Sequence, residues 1–146
     1  MAVDELYQEI ILDHYRSPRN QVDGSGSGTH VHHDNPLCGD EIDLFVQVEH
    51  GRIQRATFQG RGCAISTASA SMMTEAVEGK AVEEALALGE TMRAMMHGSP
   101  PETDLGDLAA LEGVARFPVR VKCALLAWVA LSDVLQQQQS RAAEGS

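Results

Sequence analysis

The stretch EIDLFVQVEHGRIQRATFQG, Glu41 to Gly60, decides the fold. Ile42, Leu44, Val46 and Val48 alternate with Glu41, Asp43, Gln47 and Glu49, which is the pattern of a strand buried on one face. His50-Gly51 supplies a turn. RIQRATFQG then reads as a second strand, with Ala56 and Phe58 on one side, so the pair is a β-hairpin.

Working outward, the C-terminal side turns helical. Glycines end at Cys63, and Ile65, Ala68, Met72, Met73 and Ala76 recur at helical spacing behind it. Val82, Ala85, Leu88, Met92 and Met95 mark a further helix, whose methionines are core filling. A loop with a short helix comes next. Pro118 then precedes a nearly unbroken apolar run from residue 121 to 135, a buried final helix with Cys123 in its first turn or just before it. The glutamine run and the residues beyond it, about 137–146, read as a fraying tail.

On the N-terminal side, Val3, Leu6, Tyr7, Ile10, Ile11 and His14 form the stripe of an amphipathic helix that Pro18 terminates. His14 lies on that stripe as a partly buried core histidine. Residues 20–34, with the Gly/Ser stretch DGSGSG, read as a mobile loop, although a short strand near Val31 could pair with the hairpin. His30, His32 and His33 belong to this loop. Strands segregated from helices predict an α+β fold, a small antiparallel sheet of about three strands with helices packed on it. The 146 residues suit one domain.

Composition narrows the function classes. Hydrophobic residues make up 43% and charged residues 22%, as in ordinary globular proteins. A net charge of −10 argues against general nucleic-acid binding, which needs basic surface to displace counterions. The longest apolar run is far short of a membrane span. No secretory signal is visible, so the expected location is cytoplasmic.

Cys38, Cys63 and Cys123 remain to be explained. An odd count with no signal argues against a disulfide framework. Each cysteine is expected at an element end: Cys38 before a strand, Cys63 and Cys123 opening helices. Three readings stay open: core packing, a reactive thiol, or a metal site. As ligands, three thiolates and the carboxylate of Asp40 would complete a tetrahedron of the kind zinc accepts. Gly39 lets the backbone turn between Cys38 and Asp40. Arg61, Arg120 and Lys122 flank the cysteines and would offset the anionic charge. The spacing matches no paired C-x-x-C zinc pattern. As a nucleophile, Cys63 would gain from the helix start and Arg61, whereas Cys38 sits after the more mobile loop.

Four segments together resemble a known family. LYQEIILDHYRSPRN (6–20), NPLCGDEI (35–42), GRGCAISTASASMM (60–73) and FPVRVKCALLAW (117–128) are similar to the SufU branch of the IscU/NifU-like iron–sulfur cluster assembly proteins, and the resemblance spans roughly residues 4–135. It implies an IscU/SufU-like α+β fold and a zinc site of Cys38, Asp40, Cys63 and Cys123. It implies that Cys38 accepts sulfur as a persulfide from a pyridoxal-phosphate cysteine desulfurase of the SufS type, in a pathway with downstream cluster assembly proteins. In the scaffold branch the same site holds a nascent [2Fe–2S] cluster, which is the alternative function; a zinc-stabilised interaction module is another. Lys122 stands where the scaffold branch has a histidine, and an extra segment lies around residues 98–113. Arg116, Phe117, Pro118, Val119 and Arg120 replace the Leu-Pro-Pro-Val-Lys stretch that a dedicated chaperone recognises in that branch. Arg120 is expected to orient docking or neutralise the site.

Overall fold

A computed structural model describes residues 2–22, 28–35, 39–101 and 104–144. In chain order these form α1 (Ala2–Arg16), β1 (Thr29–Asn35), β2 (Asp40–Glu49), β3 (Arg52–Arg61), α2 (Ala64–Val77), α3 (Val82–Met96), a 3₁₀ helix (Gly106–Arg116) and α4 (Pro118–Glu144). The three strands make an antiparallel sheet in the order β1-β2-β3. This is the expected α+β architecture.

The hairpin turns where the sequence indicates. His50 and Gly51 both have positive φ, 55° and 73°, the pair of left-handed residues that a two-residue hairpin turn matching strand twist requires. A register shift between Gln47 and Val48 puts Ile53, together with Ala56 and Phe58, on the buried face of β3. Opposite them on β2 stand Val48, Val46 and Leu44 in turn, with Ile42 on the same face. The helices α2 and α4 lie on this face, and α1 packs against α2 and the 3₁₀ helix. Met72, Met73, Met92 and Met95 fill the interior, as their helical spacing predicts, and Met96 joins them. Each fully buried apolar side chain of this kind contributes about 1.5–3 kcal/mol.

Two expectations change. In the presumed loop at 20–34, the Gly/Ser stretch at 23–27 lies outside the described residues, and residues 29–34 are strand: β1 pairs with β2 from Thr29↔Val46 to Asn35↔Asp40. Its sequence, THVHHDN, carries one apolar residue, so periodicity could not announce it, and β2 supplies the order through its ladder. The residues ahead of it also pair, since Phe58 N donates to Asn20 O and Val22 N to Phe58 O. The C-terminal glutamines, expected at the start of a tail, are helical. They continue α4, where Gln138 accepts a 2.7 Å hydrogen bond from Thr29 Oγ1. Glutamine is a good helix former, and the contact with β1 ties this part of α4 to the sheet. Among the described residues no helix is long and apolar enough to cross a membrane.

Candidate metal centre

Three elements converge at one end of the sheet. Asp40 opens β2, where its pairing with Asn35 closes the β1–β2 connection. Gly39 donates from its N–H to Asn35 O at 2.8 Å and takes a φ of +72°, which glycine adopts without the strain an L side chain would suffer. Cys63 is the residue that caps α2, so the strand β3 delivers it and the helix fixes it. Cys123 lies in α4 and is 1% exposed.

One donor atom from each of Asp40, Cys63 and Cys123 lies within 4.8 Å of the other two. The Asp40 carboxylate, 2% exposed, accepts the Cys63 backbone N–H at 3.0 Å and has its other oxygen 3.8 Å from Cys63 Sγ. A buried carboxylate that accepts a backbone N–H is fixed in direction. Ser66 donates to Cys63 O at 3.1 Å and stands 3.8 Å from the thiol. Gly62 makes this closeness possible: a Cβ there would meet Ser66 Oγ at 2.2 Å and Asp40 Oδ1 at 2.9 Å. Glycine's missing side chain therefore lets β3 bring Cys63 against Asp40. Two sulfurs and a carboxylate oxygen at this separation are a donor set that suits a tetrahedral borderline ion.

The placement of Cys123 corrects the reading of it as an element end. α4 starts at Pro118, the position proline favours in a helix, so Cys123 sits in the second turn. The thiol lies 3.9 Å from Val119 O, one turn back. Cys38 lies outside the described residues; its neighbours Asn35 and Gly39 are the hydrogen-bonded pair above.

The basic residues point elsewhere or outward. Arg61 is 87% exposed at its side chain and pairs with Glu41 at 3.3 Å. Arg120 and Lys122 are exposed on the first turns of α4. The loop histidines are strand residues paired to carboxylates. His30 Nε2 and His32 Nδ1 lie 2.8 Å and 3.1 Å from Asp43 Oδ1, and His33 Nε2 lies 2.8 Å from Asp133 Oδ2. Burial works to raise the Asp43 carboxyl, but the hydrogen bonds and charges of His30 and His32 outweigh it and leave it below the ordinary carboxylate value. The His33 hydrogen bond lowers Asp133 in the same way.

The profile of the NifU-like N-terminal domain family matches residues 6–124. The chain is 43% identical to a zinc-dependent sulfurtransferase SufU of Bacillus subtilis strain 168 over 139 residues, covering 94% of both chains. It is also 43% identical over 139 residues to an iron–sulfur cluster assembly scaffold protein IscU of Streptococcus pyogenes serotype M1, covering 92% of this chain and 86% of that one. Among solved structures, one described as an iron–sulfur cluster assembly scaffold for the SUF system, from Fervidobacterium islandicum AW-1, superposes with a TM-score of 0.77. It shares 32% identity, over 87% of this chain and 94% of that one.

Proposed function

The chain belongs to the NifU-like N-terminal domain family, and on that premise we propose that it works in iron–sulfur cluster assembly as a zinc-holding sulfur acceptor. Asp40, Cys63, Cys123 and Cys38 would hold the ion, and Cys38 would accept sulfur from a SufS-like cysteine desulfurase. The observation that carries this reading is the convergence of Asp40, Cys63 and Cys123 within 4.8 Å, from three elements far apart in sequence. The likeness to a protein named as a zinc-dependent sulfurtransferase supports the choice of metal.

The residues fit zinc by their chemistry. Cys38 is two peptide units from Asp40, so its Cα lies within about 7 Å of the Asp40 Cα whatever its conformation. That is close enough to complete a fourth position. Zinc, when bound, supplies the positive charge that keeps the thiols deprotonated at neutral pH. The protein does the remaining work. Asp40 is buried and tied to Cys63 N–H, so it stays in place. Cys63 and Cys123 are anchored by α2 and α4, which pack against each other. Cys38 adjoins Gly39, whose missing side chain leaves the backbone there a wider choice of conformations. It is the thiolate suited to reach a donor.

In sulfur acceptance the Cys38 thiolate attacks the outer sulfur of the donor's cysteine persulfide. The donor's S–S bond breaks, its cysteine leaves as a thiolate, and a new S–S bond forms on Cys38. Exposed Arg120 and Lys122 would meet an acidic rim on the donor. The deciding experiment is mass spectrometry after incubation with the desulfurase and cysteine. The expected result is one added sulfur on Cys38 and none in Cys38→Ala. Equal sulfur uptake by Cys38→Ala would refute the acceptor role.

A second reading, a scaffold for a [2Fe–2S] cluster, is supported by the equally similar scaffold protein. Lys122 in place of the scaffold branch's histidine favours the first. Anaerobic reconstitution separates them: a stable, transferable cluster at near-unit occupancy supports the scaffold, and tight zinc that iron does not displace supports the acceptor.

A further inference from the structure

A second set of ligand-type side chains converges away from the cysteines. His14 of α1, Glu75 of α2 and Asp107 of the 3₁₀ helix each place one donor atom within 4.8 Å of the other two. The imidazole is anchored from inside. It is 1% exposed, and Nδ1 lies 2.8 Å from Ser71 Oγ, which also accepts the Arg19 backbone N–H at 2.8 Å. The other nitrogen, Nε2, is thereby aimed at the surface, where it lies 2.9 Å from Asp107 Oδ2.

A histidine–carboxylate bond alone would explain Asp107. It does not explain why Glu75 is brought within reach of both. Two carboxylates that close repel each other, and the one guanidinium whose charge acts on both, Arg19, is shared with Asp13. The depression beside them, about 660 Å³, is lined by the three carboxylates Glu75, Glu78 and Asp107 against the single guanidinium of Arg19. That guanidinium is already bonded to Asp13 at 2.7 Å. The charge at the mouth of the depression is therefore negative, and its entrance is wide enough for water.

We propose that His14, Glu75 and Asp107 form a second metal site, distinct from the cysteine centre, for one first-row divalent ion such as Mn²⁺, Fe²⁺ or Co²⁺. Imidazole nitrogen with two carboxylate oxygens and no sulfur selects such ions over soft Cu⁺ and over Mg²⁺ or Ca²⁺, which prefer oxygen alone. Ser71 plays the part of the outer partner that orients a metal-bound histidine, here accepting from Nδ1–H. Three protein ligands leave positions for water from the depression. An ion there would tie α1, α2 and the 3₁₀ helix together, and so fix the segment that leads into α4.

The test uses the full chain given one equivalent of zinc, which the thiolates take first. Co²⁺ is then titrated in. The expected result is one further equivalent bound, with weak visible bands of a nitrogen–oxygen site and no thiolate-to-cobalt charge transfer, together with a rise in melting temperature as Co²⁺ increases. Glu75→Gln and Asp107→Asn, both at exposed positions, should each weaken binding about tenfold or more. His32→Ala and Asp43→Asn, in the separate histidine–carboxylate cluster on the sheet, should leave it unchanged. No uptake of a second ion at millimolar Co²⁺, equal affinity in both carboxylate variants, or loss of binding in His32→Ala would each overturn the assignment.

Discussion

Gly62→Ala tests the proposed zinc centre without touching a ligand. The new Cβ would stand 2.2 Å from Ser66 Oγ, 2.9 Å from Asp40 Oδ1 and 3.1 Å from Asp40 Cγ. Ser66 can rotate away, which sacrifices its bond to Cys63 O and costs about 0.5–1.5 kcal/mol. Asp40 is buried and has less room. Moving it by a few tenths of an ångström loosens the 3.0 Å bond from Cys63 N–H, a bond to a charged acceptor worth about 1.5–3 kcal/mol. Only the Asp40 part bears on the metal, so zinc affinity should fall by roughly 10- to 100-fold at 1.4 kcal/mol per decade. Competition against a chromophoric chelator at neutral pH measures it. Adding Ser66→Gly should recover the Ser66 share of stability but not the affinity, because the Asp40 contact remains. Parent-like affinity in a Gly62→Ala protein that folds normally would show that Asp40, as placed, does not hold the ion.

Three further outcomes rest on particular contacts. Ser69→Ala should destabilise the fold by about 1–3 kcal/mol in urea unfolding, since buried Ser69 donates to Ala124 O at 2.6 Å and accepts from Trp128 Nε1 at 3.2 Å. The same variant should loosen zinc, because these bonds clamp α2 to α4 and so hold Cys63 near Cys123. Asp43, whose carboxyl is lowered in the folded state, contributes stability that is present above the unfolded carboxyl pKa near 4 and is lost as pH falls through the folded value. Urea midpoints at pH 5 and pH 3 should therefore drop less in Asp43→Asn than in the parent. Chelation of zinc should lower the melting temperature of the parent more than that of Cys63→Ala, because a site that lacks a thiolate has less binding energy to lose.

Much of the architecture is written locally. Alternation from Glu41 to Glu49, His50-Gly51 and the helical stripes behind Cys63 and Val82 each report one buried face, and each face became a contact. β1 was nearly silent because its buried positions are mostly polar, and its order comes from hydrogen bonds to β2. α4 ran on past Leu135 because Gln138 found Thr29 on another element, a contact no period reveals. Of the proposed metal centre, residue types and the four family segments named the candidate ligands, and Gly39 between Cys38 and Asp40 is visible in the chain. Cys38 itself lies outside the described residues.

What the sequence alone determined about this protein is therefore the set of surfaces and the residue chemistry: a one-sided hairpin, apolar helix stripes, three cysteines and an aspartate. What only the tertiary structure decided is which of those residues meet. Cys123 reaches Asp40 and Cys63 from the second turn of α4, Gly62 is needed because two side chains crowd it, and His14, read from its stripe as a core histidine, faces Glu75 and Asp107. Periodicity records the neighbours within an element. Distances between elements depend on strand register and helix packing, which the whole chain settles together.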